Sequence, residues 1–143
     1  MFNRAPPIAR LSHRVLADVE NAVRRFARLH KYSAGADLRT AAMQVARCVH
    51  KAWRDSDHRL ARVLELCSAI DDLKISMQLG KEVKAFGSFA EFEALAKLVN
   101  ELGQQSGGWL KSLQSKGQNA AAARQSQRSP ILSSRDASHG ATP

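Results

Sequence analysis

Proline is scarce in this chain, with four residues in 143, and there is a single tyrosine and only two cysteines. Few prolines leave long stretches without an obligatory helix break. The lack of tyrosine and of β-branched runs removes the residues that favour strands, so an all-α chain is expected. Cys48 and Cys67 are too few for a disulfide framework. Both fall inside helical patterns on apolar flanks, where a reduced cysteine is expected. No uninterrupted apolar run reaches membrane length and Met1–Pro7 has no signal-peptide core, so the expectation is a soluble, cytoplasmic protein without a membrane partner.

Catalytic chemistry is equally thin. The five histidines (His13, His30, His50, His58, His139) and two cysteines show no metal-ligand spacing, and Cys48 and His50 project about 160° apart on one helix. Asp71 and Asp72 are adjacent helical positions about 100° apart and do not share a substrate atom. No glycine-rich phosphate loop follows a strand, and no nucleophile has a partner. The reading is therefore no enzyme, no catalytic residue, no metal and no cofactor.

What the chain does have is basic charge and helical periodicity. Net charge is +9 with a pI near 10.3, a balance that points to a polyanion or an acidic protein surface. Residues 1–60 carry a surplus of +7, residues 61–115 are near neutral at −1, and residues 116–143 carry +3. At 143 residues the chain suits one core.

Four periodic stretches predict an antiparallel up-down-up-down four-helix bundle over residues 8–115, followed by a disordered basic and polar tail over 116–143. In the first, Ile8, Leu11, Val15, Val19, Val23, Phe26 and His30 form the apolar stripe. Arg10, Arg14, Arg24, Arg25, Arg28 and Lys31 lie opposite it within roughly a third of the circle. After a break at Tyr32–Gly35, Asp37 opens the second helix, with Leu38, Ala41, Ala42, Val45, Val49 and Ala52 on one side. Arg39, Arg47, His50, Lys51 and Arg54 lie on the other, and Trp53 caps the bundle end. The two basic faces are the expected nucleic-acid or protein-partner surface: Arg10, Arg14, Arg24, Arg25, Arg28, Arg39, Arg47, Lys51 and Arg54.

Ser56 or Asp57 is the expected N-cap of the third helix, whose seam is Val63, Leu66, Ile70, Leu73, Met77 and Gly80. A second apolar row, Ile75, Leu79, Val83 and Phe86, lies nearly opposite and implies either a locally surrounded helix or a contact with another subunit. Gly87 suits a left-handed stop and Ser88 the next cap. In the fourth helix, Leu95, Val99, Leu102, Ser106, Trp109 and Leu113 make a stripe interrupted by Gly103, Gly107 and Gly108. Each such glycine costs roughly 1 kcal/mol relative to alanine. Gly103 and Gly107, one turn apart and beside Ala96, form a notch for a neighbouring helix and join the second apolar row as the candidate oligomer interface.

Three segments carry a resemblance: Leu38-Arg-Thr-Ala-Ala-Met-Gln-Val-Ala-Arg-Cys-Val-His-Lys-Ala-Trp53, Ala69-Ile-Asp-Asp-Leu-Lys-Ile-Ser-Met-Gln-Leu-Gly-Lys-Glu-Val-Lys84 and Glu101-Leu-Gly-Gln-Gln-Ser-Gly-Gly-Trp-Leu-Lys-Ser112. They resemble the four-helix-bundle family that includes the accessory variability determinant (Avd) of diversity-generating retroelements, over about residues 8–115. The Gly107-Gly-Trp-Leu-Lys111 ending is the most specific part. The Leu38-Arg-Thr-Ala-Ala42 start is shared more widely, including with bundle proteins encoded in ribosomal-RNA intervening sequences. The resemblance implies a non-enzymatic homopentamer that binds a reverse transcriptase and its template RNA and supports mutagenic cDNA synthesis. An RNA-associated scaffold of the intervening-sequence type is the alternative. No short motif transfers the family's contact residues to positions in this chain.

Overall fold

Pro6 and Pro7 set where the first helix begins. Pro6 is extended (ψ 157°) at the N-cap, and Pro7 takes the first helical position, where its missing N–H costs nothing. The structure, a computed structural model, describes the backbone of residues 5–140 and the side chains of residues 5–126. Its helices are α1 (Pro7–Arg24), the single turn α2 (Arg28–Lys31), α3 (Ala34–Arg54), α4 (Arg59–Glu82) and α5 (Phe89–Gly140). The chain divides into two units, one ending at Leu110 and one beginning at Lys111. Among the described residues there is no strand, and the first unit is a helical bundle.

The apolar stripes read from the sequence are the core. Val15, Val19 and Val23 of α1, Leu38, Val45 and Val49 of α3, and Leu95, Val99 and Leu102 of α5 are all buried. So is the entire α4 seam, Val63 through Gly80. Two buried hydroxyls satisfy themselves locally, Ser12 donating to the Ala9 carbonyl (2.7 Å) and Ser106 to that of Gly103 (3.1 Å). Two contacts show that α1 and α3 run in opposite directions. His13 meets His50 near one end of α1 and α3, and Val23 meets Gly35 near the other. Arg59 at the start of α4 donates to the last carbonyls of α3, Ala52 (3.0 Å) and Trp53 (2.9 Å). Arg25 at the end of α1 pairs with Glu91 at the start of α5.

Several boundaries differ from the sequence reading. The first helix does not continue to His30. It stops at Arg24, and the amides of Arg25 and Phe26 bond the carbonyls of Ala22 and Val23, a tighter closure that swings Phe26 into the core. Arg28 therefore begins a separate turn and does not extend the α1 basic face. The next helix starts at Ala34, not Asp37, with Gly35 buried inside it. Neither Ser56 nor Asp57 caps α4. Asp55 instead accepts from the His58 amide (3.2 Å) and from Arg62 (3.2 Å).

The left-handed residue that ends α4 is Lys84 (φ 58°), not Gly87. Lys84 N–H bonds the Lys81 carbonyl and Ala85 N–H the Gly80 carbonyl, the paired closure of a Schellman motif. This early exit turns Phe86 inward, edge-on to Phe26 (5.0 Å between centroids) and Phe92 (5.4 Å). Ser88 does cap α5, accepting from the Glu91 amide (3.2 Å). Over residues 116–140 of the expected disordered tail α5 is helical, while every side chain from Gln114 to Ser126 is exposed. Gln114 to Ser126 bury no side chain, and intrinsic propensity, greatest at Ala120–Ala123, favours helix there. Residues 141–143 of the expected tail lie outside the described residues.

The glycines differ in kind. A Cβ on Gly35 would sit 2.8 Å from Val23 Cγ1 and 3.2 Å from the His30 carbonyl, whereas one on Gly108 meets nothing within 4 Å. Gly35→Ala is accordingly expected to destabilise the fold by about 1–3 kcal/mol through overpacking of a stiff, buried valine. Gly108→Ala, at an exposed helical position, is expected to stabilise it by about 0.5–1 kcal/mol. Chemical denaturation of the two variants against the parent measures both signs.

Candidate nucleic-acid interface

The antiparallel pairing of α1 with α3 brings two histidine-centred basic segments together. Arg10 and Arg14 flank His13 at one turn and one residue, and Arg47, Lys51 and Arg54 flank His50 in the same way. The two imidazole Nε2 atoms are 2.8 Å apart, with the rings stacked at 21° and centroids 5.0 Å apart. All five flanking cations are exposed, and among the described residues none of them makes an ion pair. Five positive charges thus share one side of two helices. Removal from water holds the His50 imidazole below its ordinary range, and the nearby His13 and Arg54 push in the same direction.

The other four predicted basic residues stand apart from this patch. Arg24, Arg25 and Arg28 lie at the opposite end of α1 and in the turn after it. Arg25 is tied to Glu91, and Arg24 reaches the Asn21 side chain at 3.5 Å. Arg39 sits 3.0 Å from Glu20, which neutralises the middle of the α1–α3 surface. Along α1, Arg10 and Arg24 are fourteen positions apart, about 21 Å at the helical rise. The nine predicted residues therefore do not form one continuous face; five gather and four do not.

The second apolar row is partly as expected. Ile75, Leu79 and Val83 are 56%, 59% and 49% exposed, so α4 is not surrounded on that side within the chain. Phe86 is not in the row, because the turn at Lys84 carries it into the aromatic cluster. Leu60 and Leu64, absent from the predicted row, are also exposed and extend the same face toward the start of α4; their spacing of four was the signal available. Gly103 faces its own chain, with Lys74 Nζ 3.0 Å from where its Cβ would lie, while Gly107 has nothing within 4 Å. Both line a groove of about 390 Å³ with Cys67, Ile70, Asp71 and Asn100. The neighbour of Gly103 within the chain is the flexible end of Lys74, and Gly107 is open.

Cys48 is buried, and desolvation, with Glu65 adding, raises its thiol above the usual range; Cys67 is half-buried and also free. Among the described residues no cluster of three or more histidine, cysteine or acidic side chains is placed to hold a metal, and no helix is long and apolar enough to cross a membrane. Comparison of the chain with protein families, curated proteins and solved structures returns no match.

The His50 shift has a direction in stability. An imidazole whose folded pKa lies below its unfolded value of about 6.5 contributes fully above that pH and loses its contribution as pH falls through the folded value. The melting temperature is therefore expected to drop between pH 7.5 and 5 at low salt, and to drop less in His50→Gln. Thermal melts across that range check it.

Proposed function

We propose that this chain is a non-catalytic, self-associating RNA-binding protein that accompanies a reverse transcriptase, of the kind found in diversity-generating retroelements. The reverse transcriptase and the template RNA as partners, and a pentamer as the assembly, come from the resemblance of the three quoted segments to that family. The RNA contact is supported by one observation above others: Arg10, Arg14, Arg47, Lys51 and Arg54 are exposed on adjacent helices without acidic partners among the described residues. Such a cluster, left unneutralised, repels itself and costs stability, and a phosphate backbone relieves that cost. Repetition of the patch on each subunit of a ring would let weak contacts add. Few aromatics are exposed on α1 and α3 for base stacking, which favours backbone recognition over sequence readout.

Charge reversal at Arg14, Arg47 and Arg54 should weaken binding of template RNA strongly and lower the salt slope by roughly one for each phosphate no longer neutralised. Arg25→Glu, which breaks the pair with Glu91 instead, should leave the salt slope unchanged. Salt-dependent fluorescence anisotropy distinguishes the two. If the triple variant binds RNA and the reverse transcriptase as the parent does, the patch is a solvated surface and the proposal fails.

Self-association is assigned to the exposed α4 row. Leu79→Asp places a charge on a side chain that is 59% exposed in the single chain, so the subunit should remain helical while the assembly dissociates. Light scattering with circular dichroism reads mass and helicity together. An unmutated chain that is a folded monomer at high concentration would end the assignment.

A further inference from the structure

The contact between His13 and His50 is unusual for its setting. Two rings that can each carry a positive charge meet Nε2 to Nε2 at 2.8 Å in the middle of five cations. At that separation one nitrogen donates and the other accepts, so the facing atoms hold one proton between them. Putting a proton on both requires the rings to part, or an acceptor to enter between them. We infer that this pair is a phosphate-binding subsite of the RNA surface, in which a phosphate oxygen replaces the imidazole-to-imidazole bond and the pair takes up a proton from solvent as it binds. The inference rests on the RNA reading above and names which of its contacts depends on pH.

The charged surroundings favour an anion at this point and oppose a metal cation. On α1 the nearest charges are Arg10 and Arg14, with Asp18 more than a turn further along. On α3 they are Arg47, Lys51 and Arg54, and Arg54 acts directly on His50. At the start of α4, Arg59 is committed to capping α3, and Asp55 is held by His58 and Arg62. On α5 the only charged residue between Leu98 and Leu110 is Glu101, which is exposed. Among the described residues cations thus outnumber acids around the pair, and burial, His13 and Arg54 together disfavour imidazolium at His50 in the free protein. A bound phosphate reverses that balance, because each of its oxygens accepts from a charged ring at full strength. Binding and protonation are then linked reciprocally: an anion that raises the imidazole pKa is bound more tightly as pH falls.

The test measures anisotropy of a labelled duplex RNA at fixed ionic strength from pH 8 to 5.5, with the parent, His13→Gln, His50→Gln and the double variant. A parallel NMR titration follows the His13 and His50 ring protons with inorganic phosphate as the probe. The parent's affinity should rise about tenfold or more toward low pH, the factor that a one-unit pKa rise supplies, and each variant should lose most of that rise while staying helical. Phosphate should raise both imidazole pKa values. RNA binding whose pH dependence survives in His50→Gln and His13→Gln, or phosphate that moves neither ring, would overturn this subsite and leave the RNA proposal standing. RNA that fails to bind at any pH while phosphate still shifts both rings would sink the RNA proposal and keep the anion site. Failure of both probes removes both.

Discussion

Burial of the α4 seam is the constraint on which the other helices depend. Val63, Leu66, Ile70, Leu73, Met77 and Gly80 step by three and four and are all withdrawn from solvent. A stripe of that length is covered only by neighbours whose own apolar residues advance at the same pitch, which is what α3 and α5 supply with Leu38 to Val49 and Leu95 to Leu102. Each fully buried leucine, isoleucine or methionine in such a seam contributes about 1.5–3 kcal/mol, so a register slip of one residue would expose several such contributions at once. The left-handed Lys84 follows from the same requirement. Ending α4 there lets Phe86 close the bundle end with Phe26 and Phe92, and the aromatic packing outweighs the strain of a non-glycine residue at φ 58°.

With one stripe of each helix committed to the core, the outer faces are free to differ, and they do. The outer side of α1 and α3 near the His13–His50 contact is strongly positive. The outer side of α4 exposes Leu60 and Leu64 near its start and Ile75, Leu79 and Val83 near its end, with Glu65, Ser68, Asp71, Asp72 and Glu82 among them. Neither face helps an isolated subunit fold: clustered cations repel one another, and exposed leucines gain nothing from water. In the function proposed above these are the faces assigned to an anion and to a second subunit, and they use different residues on different helices.

Sequence alone determined the helices and their inward faces, because a helix repeats every 3.6 residues and the choice of buried side is local. The α1, α3, α4 and α5 stripes, the Ser88 cap and the existence of a second apolar row at Ile75, Leu79 and Val83 follow from spacing, whereas only the structure shows that row to be exposed. Tertiary structure decided whatever depends on two segments distant in the chain. Arg10 and Arg14 join Arg47, Lys51 and Arg54 only because α1 and α3 are antiparallel in this register, while Glu20 removes Arg39 and Glu91 removes Arg25 from the same nominal basic face. Gly35 is small to admit Val23 and the His30 carbonyl, which its own helix does not reveal. The two histidines carry no signal at positions 13 and 50, since periodicity assigns each to the side of a helix and says nothing of what stands across from it. Their meeting at 2.8 Å is a property of the packed pair of helices, set by the core residues beneath them.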